Sequence, residues 1–145
     1  MEILTIGFTK KTAQQFFDSL KQNNVKQLID VRLNNVSQLS GFAKKEDLSY
    51  LLKEICGASY IHEPLLAPTQ AMLDEYKKEQ GNWLEYRKKF LQLMADRAIE
   101  KSISPDLFST RTVLLCSELT AEHCHRSLVV EYLQEHWGSV DVKNI

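Results

Sequence analysis

The sequence predicts an α/β protein with a mostly parallel sheet flanked by helices on both faces, a Rossmann-like three-layer arrangement. Three observations predict it. Short apolar runs alternate with stretches of helical periodicity along all 145 residues. Helix-start and helix-stop signals sit between them. Finally, the most apolar run, Val113 to Cys116, breaks off into a polar turn and restarts as a helix at Cys124, His125 and Arg126. Strands that alternate with helices at this spacing pair in parallel through right-handed crossovers, so their carboxyl ends share one edge.

Taken in order, Glu2 to Ile6 reads as the first strand, ended by Gly7. Thr12 and Gln15 have capping-box spacing, and Phe16, Phe17 and Leu20 recur at helical intervals, so 12–23 is expected to be a helix. Val25 to Val31 is a second strand with Asp30 and Arg32 at its far end. A polar loop follows. Leu48, Leu51, Leu52 and Ile55 then place a helix over 44–56, with Gly57 suited to follow its C-cap. Ser59 to Ile61 is a third strand, leading into His62 and Glu63. A short helix is expected over 69–79. Asn82 and Glu85 repeat the capping signature, and Tyr86, Phe90, Met94 and Ala98 form one stripe of a single long helix. Arg111 to Cys116 is the fourth strand, 121–137 the last helix, and 140–145 a final strand.

The bulk numbers bound the function. The length fits one domain spanning 1–145. With 43% hydrophobic and 26% charged residues the composition is that of a globular protein. A formal net charge of -1 argues against a broad electrostatic grip on nucleic acid. No apolar stretch approaches the roughly 18 residues that span a bilayer, and the first residues lack the pattern of a signal peptide. An odd number of cysteines, 3, fits a reduced, cytoplasmic protein better than a disulfide framework.

Ligands of open α/β sheets bind at the carboxyl edge. There the first strand delivers Gly7 and Thr9, the second Asp30 and Arg32, the third His62, and the fourth Cys116 and Glu118, with Cys124, His125 and Arg126 opening the next helix. The amino ends of the strands are plainer. Arg32 and Arg126, with the free N–H groups of a helix start, suit an anion. Glu118 and Asp30 are candidate general acid or base groups, and Cys124 and Cys116 candidate nucleophiles. His62, Gly7, Thr9 and His125 are candidate ligand-binding residues. Each has a structural alternative: Asp30 with Arg32, and Glu118 with Arg126, can be internal ion pairs, and both thiols can be packed, inert groups.

Metal binding is not expected, because no pair of ligand residues is followed by a second pair, and adjacent helical residues such as Cys124 and His125 point roughly 100° apart. There is no glycine-rich phosphate loop and no nucleophile elbow. Arg126 stands too far after Cys116 for a cysteine phosphatase loop. No cofactor is implied. The expected partner is an anionic small molecule or nucleotide, with hydrolysis or group transfer as the expected chemistry. Binding of nucleic acid or protein without turnover is the alternative.

At these residues the chain resembles the DUF488 family of small α/β proteins, named for lacking an assigned function. The matching pieces are Thr5-Ile6-Gly7, Asp30-Val31-Arg32, Phe42 with Leu48, Tyr60-Ile61-His62 with Pro64 and Leu66, and Leu115-Cys116-Ser117-Glu118 followed by Cys124-His125-Arg126. Leu66-Ala67-Pro68-Thr69, Trp83 and Tyr86 look like one branch of it. The resemblance implies the α/β fold and a shared pocket, but no reaction. Phe8 and Thr9 stand where the family's opening usually has His-Ser, and Asn144 where its end often has histidine.

Overall fold

The computed structural model describes residues 1–34, 41–78, 81–117 and 124–145. Its centre is a five-stranded sheet in which every paired neighbour is parallel: β1 (Glu2–Gly7), β2 (Gln27–Asp30), β3 (Ser59–His62), β4 (Thr112–Cys116) and β5 (Asp141–Asn144). The spatial order is β3-β2-β4-β1-β5. β4 lies at the middle, which explains its composition: a strand covered on both faces needs a continuous apolar run, and all of Thr112–Cys116 is buried. β5 is an exposed edge strand.

Helices cover both faces. Alternate strand residues face opposite ways, and they divide the interior into two cores. Leu4, Ile6, Leu28, Val113 and Leu115 pack with Phe16, Phe17 and Leu20 of α1 (Ala13–Gln22) and Leu48 of α2 (Lys45–Leu51). Ile3, Ile29, Leu114 and Cys116 pack on the other face with α4 (Trp83–Asp96), α5 (Ile99–Ser102) and α6 (His125–Trp137). α3 (Gln70–Lys78) adds Met72, Leu73 and Tyr76 to this second core. Among the described residues, no helix is long and apolar enough to cross a membrane.

The local signals act as expected. Thr12 Oγ1 accepts from Gln15 N–H at 3.1 Å, and Gln15 Oε1 accepts from Thr12 N–H at 2.9 Å, completing a capping box. Asn82 caps α4 by accepting from Glu85 N–H at 3.3 Å. α2 runs on through a π-helical turn, Leu52–Cys56, which ends on Gly57 at φ 63°.

Two boundaries differ from the sequence reading. The long helix does not continue to Ala98: α4 stops at Asp96, and Ala98 adopts a left-handed φ of 50° before α5. The break is held from outside the helix, because Arg97 donates from Nη1 to the carbonyls of Leu65 and Ala67, each at 2.7 Å. At the last helix, Cys124 is the N-cap in extended conformation (φ −124°, ψ 138°), and α6 begins at His125. The expected start at Ala121 lies outside the described residues.

Candidate functional site

The parallel registers bring the strand ends together. Gly7 is level with Cys116, and Asp30 is level with Leu115 on one side and His62 on the other. What each side chain does there depends on its next contacts.

Arg32 turns back onto its own strand end. It donates from Nε to Asp30 Oδ1 at 2.9 Å and from Nη2 to Asp30 Oδ2 at 2.8 Å, and Nη2 also reaches the carbonyl of Ala43 at 2.7 Å. Tyr60 donates its hydroxyl to Asp30 Oδ2 at 2.6 Å. The guanidinium lies 5.2 Å from the centre of the Phe8 ring. Both charges are buried, and a buried pair survives only with this completeness of hydrogen bonding. The acid and the arginine therefore neutralise each other, and Phe8 packs as core.

Gly7 and Thr9 knit β1 to β4. Lys11 donates from Nζ to the Gly7 carbonyl at 2.8 Å, and Thr9 donates its backbone N–H to the Ser117 carbonyl at 3.0 Å. Burial, with Arg126 nearby, holds the Lys11 ammonium below its usual range. His62 donates Nε2–H to the carbonyl of Arg32 at 2.8 Å, bracing the segment after β2. Asn144 accepts from the Thr5 hydroxyl within the sheet.

A cavity of about 390 Å³ opens at this edge. It is lined by Cys116, Ser117, Cys124 and His125, by Arg32, Leu33 and Asn34, and by Tyr76, Lys77, Trp83 and Tyr86. Of the predicted site residues, Cys116, Cys124, His125 and Arg32 meet at the cavity. Arg126, His62, Gly7 and Thr9 do not line it, and Asp30 stands behind Arg32. Arg126 is nonetheless fully buried, at 1% exposure. It follows His125 by one helical step, which turns it away from its neighbour. Glu118 lies outside the described residues.

The sulfurs and the imidazole form one cluster. The donor atoms of Cys116, Cys124 and His125 all lie within 4.8 Å of one another. Cys116 Sγ is 3.3 Å from His125 Nδ1 and 3.8 Å from Nε2. Nε2 lies 2.6 Å from the Val31 carbonyl, which can only accept; Nε2 therefore carries the proton and Nδ1 is the acceptor that faces the Cys116 thiol. Burial lowers the imidazole's pKa and keeps it neutral. The Cys116 thiol and burial together push the Cys124 thiol up, and burial beside the same two cysteines does so for the Tyr86 phenol. One of the two sequence grounds against a metal site, the roughly 100° separation, took Cys124 and His125 both to be helical. Cys124 is the extended N-cap, so the helical increment does not separate them.

Sequence reading missed the aromatic wall. Trp83 stacks on Tyr86 with centroids 5.5 Å apart, and Tyr76 meets Tyr86 at 4.9 Å. The available signal was a helical hairpin: Tyr76 near the end of α3 and Trp83 at the start of α4, with Gly81 at φ 80° between them.

These features define an α/β protein with a partly aromatic cavity at the carboxyl edge of a parallel sheet. The chain belongs to the DUF488 family, a domain of unknown function, whose profile matches residues 12–133. The match takes in Asp30-Val31-Arg32 and Cys124-His125-Arg126, while the Thr5-Ile6-Gly7 opening precedes it. No curated protein and no solved structure matches the chain significantly.

Proposed function

We propose that the cavity binds a small ligand carrying a planar ring and an anionic group, of the nucleotide kind. The observation that carries this reading is that Tyr76, Trp83 and Tyr86 line, together with polar side chains, one cavity of about 390 Å³. That volume falls in the usual range for small-molecule sites. Stacking on an aromatic side chain contributes about 1–3 kcal/mol per base. The exposed Lys77 supplies the positive charge for the anion, since Arg32 is already committed to Asp30. Turnover at such a ligand would be hydrolysis or group transfer. Broad nucleic-acid binding is not part of the proposal, given the net charge of -1.

Binding without turnover is the second reading, and Phe8 favours it. Its ring packs on Arg32 at the position where the opening usual for the family the sequence resembles has histidine.

Thermal-shift screening against nucleosides, nucleotides and sugar phosphates tests the binding reading. A ligand at about 100 times its Kd stabilises by about 2.7 kcal/mol. The expected result is a rise in Tm with nucleotides that Trp83→Ala abolishes. Absence of any shift, or an equal shift in Trp83→Ala, overturns it. Chromatography of the incubated ligand separates the two readings, because product formation eliminates the second.

A further inference from the structure

The cavity lining carries a donor set that the ligand reading does not use. We propose that Cys116, Cys124 and His125 bind one zinc-class metal ion as a Cys2His site, with the fourth coordination position open to the cavity. The inference stands apart from the nucleotide reading, since it concerns the metal alone.

Four observations carry it. The three donor atoms lie within 4.8 Å of one another, although Cys116 comes from the end of β4 and the others from the start of α6. Two thiolates and an imidazole are the donors that zinc and its borderline-soft neighbours select. Second, the distances are near those required. With Zn–S about 2.3 Å and Zn–N about 2.0–2.1 Å at tetrahedral angles, sulfur and nitrogen stand about 3.6 Å apart. Cys116 Sγ is 3.3 Å from His125 Nδ1. That sulfur is also only 3.8 Å from Nε2, so it lies beside the ring rather than along the Nδ1 lone pair. A turn of the Cys116 side chain, with the ring left in place, is needed to admit the ion.

Third, the histidine is already oriented as a ligand. Its Nε2–H is committed to the Val31 carbonyl at 2.6 Å, which leaves Nδ1 for the ion. Metal-binding histidines almost always have such a partner on the other nitrogen. Fourth, the charges suit the setting. Two thiolates balance a divalent cation, so the assembled site is neutral, and its ligand residues are 4%, 2% and 8% exposed. A neutral group avoids the cost of burying net charge. Among the described residues no further Cys, His or carboxylate joins the group. All three ligand residues line the cavity, so the remaining position faces whatever occupies it. Three protein donors and one exchangeable position is the arrangement of zinc sites that polarise a bound water or carbonyl.

Cobalt(II) titration of the full chain, chelator-stripped and kept reduced, tests the proposal. The expected result is saturation at one equivalent, with tetrahedral d–d bands and a thiolate-to-cobalt charge-transfer band of two-thiolate intensity, all bleached by one equivalent of zinc. Cys116→Ser and Cys124→Ser should each weaken zinc binding at least 100-fold, while Cys56→Ser leaves it unchanged. The cobalt spectrum of the unmutated chain decides the matter even where a variant does not fold. No charge-transfer band, a band of single-thiolate intensity, or unchanged zinc affinity in a folded Cys124→Ser protein overturns the proposal. Nucleotide binding by the stripped protein would leave the ligand reading standing if the metal site failed.

Discussion

Arg32 grips Asp30 through both carboxylate oxygens, from two residues further along the same chain and wholly inside the protein. A charge pair so placed contributes little net stability while intact, but leaves an uncompensated buried charge when one partner is removed. Asp30→Ala should therefore cost about 3–5 kcal/mol, read as a lower urea midpoint. Replacing both partners by apolar residues, as Asp30→Leu with Arg32→Met, should cost less than Asp30→Leu alone. Additive losses would show that the pair does not act as a unit.

Under the proposed nucleotide reading, the same pairing assigns the ligand's anionic group to Lys77 rather than Arg32. Lys77→Gln should weaken a nucleotide more than its parent nucleoside, by up to about 1 kcal/mol, the worth of one exposed charge pair. Calorimetric titration of both ligands measures the difference. Equal weakening of both would place the anion elsewhere.

Ala98 carries a Cβ in a backbone region that glycine enters without penalty. Ala98→Gly should raise stability by up to about 1 kcal/mol, net of glycine's larger loss of backbone freedom. Ala98→Val should lower it. Thermal melts of the two variants give the comparison, and a destabilised glycine variant would contradict the strain argument.

Lys11 supplies a pH dependence. Burial, then the nearby Arg126, lowers its folded pKa from the ordinary 10.5. The charged form is thus disfavoured in the folded chain, and the unfolded chain binds more protons between the two pKa values. Stability should rise with pH through that interval just below 10.5. Denaturation at several alkaline pH values should show this rise in the unmutated chain and not in Lys11→Met. A rise of the same size in both would assign it to another group.

Thr12 offers a local control. Thr12→Ala breaks the capping box at the start of α1, at a residue that does not line the cavity, and should cost about 1 kcal/mol. Circular dichroism melts should register that loss, with ligand and metal binding unchanged.

Much of the fold was legible because its causes are local. A thiol-ended apolar run such as Val113 to Cys116 reads as a strand from its composition and length alone. Thr12 with Gln15, and Asn82 with Glu85, announce their helices because an N-cap bond spans only three residues. The end of α4 was not legible: its cause is Arg97 reaching the distant carbonyls of Leu65 and Ala67. The α/β alternation also locates the candidate site, because parallel strands end side by side. It does not say which side chains enter the cavity.

By itself, then, the sequence determined the alternation of strands and helices, and with it the meeting of Asp30, His62 and Cys116 at one edge. Periodicity and capping are properties of short stretches of chain. Only the tertiary structure decided that Arg32 folds back on Asp30, that His125 faces the cavity while Arg126 does not line it, and that Trp83 and Tyr86 form a wall. Those outcomes depend on inter-strand register, on the extended backbone of Cys124 and on packing between α3 and α4, relations between segments that no single stretch encodes.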